Sequence, residues 1–137
     1  MAALTADRNT PEKLDGRLRE LPVAADTVIH AGALTCLDAA GNAVPGSTAT
    51  TLTAVGRAEA RADNAGGSAG DVTVKVKRGV FRFANSSGGD EVDRTHIGNP
   101  CYAVDDQTVA ATDGTNTRSI AGLVYDVDDL GVWVEIS

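Results

Sequence analysis

Aromatic residues are scarce: Phe, Trp and Tyr make up 4% of the 137 residues. The core must therefore come from Val, Ala, Leu and Ile, and a sugar cleft lined with stacked rings has little to build on. Cysteine is limited to Cys36 and Cys101. No C-x-x-C pair occurs, so the usual structural zinc site is absent. The two read as buried free thiols ahead of a disulfide, because Cys packs well as a small core residue. His30 and His96 are the only histidines, and two isolated imidazoles do not make a metal site. Long apolar runs are missing, and none nears the ~20 residues of a spanning helix. The opening MAALTADRNTPEKL lacks the apolar stretch of a secretory signal. A soluble protein made in the cytoplasm, with no membrane partner, is expected. Positive charge is also short: 12 Lys and Arg face 19 Asp and Glu, a net charge of −7. Such a chain does not attract phosphate backbones, so nucleic acid is excluded as the expected partner.

The chain is rich in turn formers, including 15 glycines, and in short alternating runs. Val72, Val74 and Val76 alternate with Thr73, Lys75 and Lys77, the period of a half-buried strand. Leu52–Ala62 alternates as well. Val55, Arg57, Glu59 and Arg61 fall on one face, and Ala54, Ala58, Ala60 and Ala62 on the other. The small side chains predict close packing against another layer. Phe81 and Phe83 have the opposite parity to the valines, which predicts a β-bulge at Arg78–Gly79. Strands are expected at Ile120–Val127 and Val132–Ile136, with Val132, Val134 and Ile136 sharing a face. Turns are expected at Asp38–Asn42, Asp105–Gln107 and Asp128–Gly131. The fold class is all-β, a compact β-sandwich or small β-barrel with an extended N-terminal arm. The expected division is an arm over residues 1–25 and one β domain over 26–137. Within the arm, Thr10-Pro11 could start a helix carrying Leu14, Leu18 and Leu21, but Gly16 and Pro22 interrupt it. An extended arm that orders against a neighbour is the preferred reading.

Candidate chemistry is thin. Gly66-Gly67-Ser68-Ala69-Gly70 spells G-x-S-x-G, the nucleophile elbow of serine hydrolases. That elbow needs a strand before it and a helix after it, whereas a strand follows here. Ser68 therefore reads as a turn residue, and no catalytic residue is assigned. Asp105-Asp106 with Asp126, Asp128 and Asp129 offers carboxylates for calcium, but no EF-hand spacing is present. Asp also caps turns with its own side chain, so no metal and no cofactor is assigned. Paired carboxylates for glycoside cleavage fail on the lack of aromatics. Lys75, Lys77, Arg78 and Arg82 form the one dense basic run, pointing away from the valines. It is either a solvated strand face or a contact surface for an acidic neighbour.

Several stretches, in order and across nearly the whole length, resemble one family. They are Leu4–Pro11 (LTADRNTP), Leu21–Ala25 (LPVAA), Ala31–Leu34 (AGAL) and Leu37–Pro45 (LDAAGNAVP). Val55–Ala58 (VGRA), Arg78–Ser86 (RGVFRFANS), Gly98–Ala110 (GNPCYAVDDQTVA) and Gly131–Val134 (GVWV) continue them. The chain resembles the head decoration, or capsid cement, proteins of tailed bacteriophages and prophages. That resemblance implies a small, β-rich, non-enzymatic virion protein, made in the bacterial host cytoplasm and placed on the outer surface of the head. It implies a homo-oligomer, a trimer, that bridges neighbouring subunits of the major capsid protein. Arg8, Arg17 and Arg19 are the expected polar anchors of the arm, and Lys75, Lys77 and Arg82 the expected contacts on the body. The rival expectation is a carbohydrate- or host-surface-binding module displayed on the virion, for which Trp133 or Tyr102 would have to be exposed.

Overall fold

A computed structural model of the chain describes residues 2–11, 13 and 16–137. Twelve strands and two single turns of 3-10 helix, Gly88–Asp90 and Arg94–His96, occur among them. The first six strands are β1 (Leu18–Pro22), β2 (Thr27–Ile29), β3 (Leu34–Leu37), β4 (Ala43–Pro45), β5 (Thr53–Ala58) and β6 (Ala62–Asn64). The rest are β7 (Thr73–Lys77), β8 (Gly79–Asn85), β9 (Pro100–Ala103), β10 (Thr108–Ala110), β11 (Ile120–Asp128) and β12 (Gly131–Ile136). The body is all-β, as expected. A five-strand sheet, β1-β7-β5-β3-β4, stands between a two-strand ribbon, β2-β6, and a closed barrel, β10-β8-β12-β11-β9. Pairing between strands is antiparallel except between β8 and β10, and Val23 makes an isolated parallel bridge to Ala43.

In the centre of the sheet β3 is covered on both sides, which is why its sequence reads LTCL. Leu34 and Cys36 join the barrel core with Phe83, Val109, Val132 and Val134. Ala33 and Leu37, of the other parity, pack with Val23, Ile29, Val74 and Val76 beneath the ribbon. A strand buried on both faces loses the polar half of its alternation. Fully burying each Val or Leu contributes about 1.5–3 kcal/mol. Between them, Thr35 is buried, and its hydroxyl donates to the Ala33 carbonyl at 3.1 Å. Backbone and hydroxyl bonds fasten the sheet to the barrel. The Leu34 N–H donates to the Asp106 carbonyl at 2.8 Å, and the Thr48 hydroxyl donates to the Val104 carbonyl at 2.8 Å.

Turn chemistry follows the expected sites. The Asp38 carboxylate accepts from the Ala40 and Asn42 N–H groups, closing β3 onto β4. Asp105 accepts from the Gln107 N–H between β9 and β10. Asp128 accepts from the Leu130 and Gly131 N–H groups between β11 and β12.

Three expectations change. No bulge sits at Arg78–Gly79. The chain instead leaves the sheet after Lys77 and enters the barrel at Gly79, so β7 and β8 belong to different layers. Val74 and Val76 pack beneath the ribbon while Phe83 fills the barrel. The parity changes because the core changes. A bulge does occur opposite this crossover, in β5, where Thr35 pairs with Gly56 and Cys36 with Ala54. The extra residue, Val55, is buried with Ala58 beneath the ribbon, while Ala54 packs on the barrel core. Gly56 has φ +146°, and a Cβ there would lie 2.3 Å from the Lys77 carbonyl oxygen, so only glycine fits. The alternation expected to run through Ala62 therefore breaks twice, at this bulge and between β5 and β6.

The arm is shorter than expected. Leu18–Pro22 is an edge strand antiparallel to β7, with Leu21 opposite Val74, and Val23 is fully buried. Residues 18–25 thus belong to the body. Leu18 and Leu21 lie in a strand and not in the rival helix, and Leu14 lies outside the described residues. The GGSAG stretch connects β6 to β7. Asn64, almost fully buried, donates from its amide to the Ala24 and Ser68 carbonyls, each at 2.9 Å. The Ser68 N–H donates to Asp71 at 2.9 Å.

Candidate contact surface

The strand order places β1, β7 and β5 side by side, and the register puts Leu18 and Arg57 on either side of Lys77. Thr73, Lys75 and Lys77 have the parity opposite to Val74 and Val76, so they leave the ribbon core and face outward. Like charges directly opposed across strands repel. Arg57 is partly relieved by Glu59 at 2.7 Å, and its guanidinium lies 4.3 Å from the centre of the Phe81 ring. Among the described residues, Lys75 and Lys77 make no ion pair. Glu20, opposite Lys75, accepts from the Thr73 hydroxyl at 2.7 Å. Arg57, Lys77, Phe81, Arg82 and Trp133 line a shallow depression of about 430 Å³ at the junction of sheet and barrel.

Arg82 stands on the outside of the barrel opposite Trp133, 5.5 Å from its ring centre. The Trp133 indole N–H donates to Asp128 Oδ2 at 2.8 Å, and Arg82 reaches the same carboxylate at 3.9 Å. The Trp133 hydrogen bond, followed by the Leu130 amide, holds the Asp128 carboxyl below its ordinary value. Trp133 is thereby tied to the β11–β12 turn, with Arg82 over its ring. Trp133 and Tyr102 are both half-buried, and Tyr102, on β9, lines a depression with Ile120 and Leu123.

The expected contact residues are only partly brought together. Lys75 and Lys77 share the outward face of β7, and Lys77 and Arg82 line one depression. Arg82 belongs to the barrel, so the basic run is not a single strand face. Arg17 and Arg19 are exposed, but they lie at or within β1 and not in a free arm. The Arg17 carbonyl accepts from the Arg78 N–H at 2.9 Å, and Arg19 lies opposite Val76, on the other face from the lysines. Arg8 is exposed in the stretch before Pro11. Arg57 and Phe81 were not read as contact residues from the sequence. Gly56 was the available signal, because a glycine inside a strand often marks a bulge that re-aims its neighbours.

The other candidates fall into local structural roles. Asp93 caps the second 3-10 turn: its carboxylate accepts from the Thr95 N–H and hydroxyl, and His96 Nδ1 accepts from the Asp93 N–H. Those Thr95 bonds lower the Asp93 pKa. His30 is exposed in the turn after β2. Asp90 accepts from the Thr112 hydroxyl, which lowers its pKa, and pairs with Arg118 at 3.4 Å. Cys36 and Cys101 are free thiols in the barrel core, where burial pushes each pKa up to about 12. Among the described residues no three His, Cys, Asp or Glu side chains converge as metal ligands. No helix among them is long and apolar enough to cross a membrane. The chain matches no family model, no curated protein and no solved structure.

Proposed function

We propose that this chain is a structural virion protein, a decoration protein that binds the outer surface of a tailed-phage head and stabilises it by bridging major capsid subunits. Support comes from the resemblance along the sequence and from the form of the molecule. The observation that carries the proposal is the exposed stretch of residues 2–10, without regular strand or helix, joined to a body closed by a barrel. A polar arm of this kind adds contact area at little cost in chain length, and binding supplies its ordering entropy. Repeated over a lattice, modest contacts hold by avidity. Arg8 is the arm's contact with the shell, while Lys75, Lys77 and Arg82 face acidic neighbours. The proposed protein is non-enzymatic and acts as a homo-oligomer.

The test is co-sedimentation of the purified protein with phage heads that lack decoration. The intact chain should saturate a fixed number of sites per head. Deleting residues 2–10 should weaken binding about tenfold or more without changing the thermal transition. A deletion through residue 20 is unsuitable, since it would remove most of β1. No binding of the intact chain would reject the proposal.

A further inference from the structure

Charge is unevenly distributed along the chain. From Ile97 to Ser137 there are seven carboxylates (Asp105, Asp106, Asp113, Asp126, Asp128, Asp129, Glu135) and one cation, Arg118. That is −6 of the total −7. Arg118 is taken up by Asp90. In this acidic region the outside of β11 is apolar. Ile120, Leu123 and Tyr125 are 52%, 43% and 60% exposed. Ile97, 46% exposed, lies alongside, since the Gly98 N–H donates to the Val124 carbonyl. A register shift between Val124 and Asp126 makes Tyr125 the extra residue of β11 against β12, so Tyr125 and Asp126 are both exposed. Glu135 lies opposite Leu123 on β12, and Asp126 lies opposite Trp133. The result is an apolar band with a carboxylate rim. The barrel is closed, so this face offers no strand edge, and a partner must meet side chains.

The chain also carries the complement. On the outward side of β1, β7 and β5, Leu18 is 55% exposed beside Lys77, with Lys75 and Arg57 next to it. This face belongs to the sheet and the apolar band to the barrel; they are different side-chain sets that adjoin where Lys77 and Trp133 line one depression and Asp126 lies opposite Trp133. We propose that copies of this chain associate head to tail, the Leu18–Lys75–Lys77 face of one docking on the Leu123–Tyr125 band of the next, with Lys75 and Lys77 meeting Asp126 and Glu135. A heterologous contact of this kind uses one patch from each copy and closes into a ring when the rotation permits. Apolar centres with opposite charge at the rim are what a stable and specific interface requires. The proposal names the self-contact surface of the oligomer put forward above and rests on that reading.

The test is the mass of the protein in solution, by light scattering or sedimentation, without heads. The intact chain should exceed a monomer. K75E/K77E and D126K/E135K should each weaken association by about 100-fold, since like charges at a contact cost several kcal/mol. All four changes in one chain should restore the mass. L123S/Y125S, on the outer face, should give a monomer with an unchanged circular dichroism spectrum. A monomeric intact chain, folded charge variants that keep the parental mass, or a fourfold variant that stays monomeric would each overturn the proposal. Head binding is read separately. A chain that forms oligomers and ignores heads would reject the decoration role alone, and one that binds heads as a monomer would reject the self-contact alone.

Discussion

The two cores of this molecule are built from different side chains for different reasons. The barrel core holds Leu34, Phe83, Val92, Val124, Val132, Val134 and Ile136 inside a closed ring of paired strands. The core beneath the ribbon contains Ala33, Ala43, Ala58 and Ala62 among a few valines and one isoleucine. Its cover is a pair of three-residue strands, which must lie close to the sheet to bury anything. Large side chains fill a closed barrel, while small ones let a short ribbon approach. Strands β3, β4 and β5 contribute to both cores, so the two are mechanically joined.

The largest expected effect tests that joining. Leu34 is fully buried, and Leu34→Ala should cost about 2–5 kcal/mol in denaturant unfolding. Amide exchange should rise both at Val134 in the barrel and at Ile29 beneath the ribbon. Protection lost at Val134 alone would show that the cores unfold independently.

A smaller effect separates them. Asn64→Ala removes the side-chain donor to the Ala24 and Ser68 carbonyls, of which Ser68 keeps the Asp71 N–H, at a cost of about 1–3 kcal/mol. The increase in exchange should be confined to the ribbon and the Gly66–Gly70 turn, with Val134 unchanged. An equal rise at Val134 would contradict this. Asn64 was not singled out from its sequence. The turn was legible from its glycines, but the side chain that organises it also ties it to the Ala24 carbonyl, 40 residues away.

The smallest effect concerns the barrel surface. Asp128 has its pKa lowered in the folded state, so between that value and the ordinary 3.8 the unfolded chain binds more protons. Its contribution is present above 3.8 and is lost as pH falls through the folded value. Trp133 is the one tryptophan, so its fluorescence should change with a midpoint below 3.8. Asp128→Asn should abolish that step while leaving the neutral-pH fold intact. A step that persists in Asp128→Asn would assign it to another carboxylate.

Much of the fold was readable wherever the cause is local. The Val72–Val76 alternation, the inward set Val132, Val134 and Ile136, and the Asp-capped turns all stand as expected. The contact surface was readable only in part. Lys75 and Lys77 follow from the alternation of β7, but Arg57 reaches the same face because a bulge shifts β5 by one residue. Arg17 and Arg19 looked like arm residues because a polar stretch carries no sign that an edge strand will pair with it. The pairing is supplied by β7, more than 50 residues later.

The sequence by itself determined the fold class, the positions of the turns and the charge imbalance between the last 41 residues and the rest. These depend on neighbours along the chain: a side chain that caps its own turn, or a period of two. Only the tertiary structure decided which sheet each strand joins, where the arm ends and which cations share a face. The reversed parity of the phenylalanines is satisfied equally by a bulge within one sheet or by a crossover into a second core. Long-range pairing chose the crossover, because β12 and β10 offer β8 a closed barrel in which Phe83 is buried.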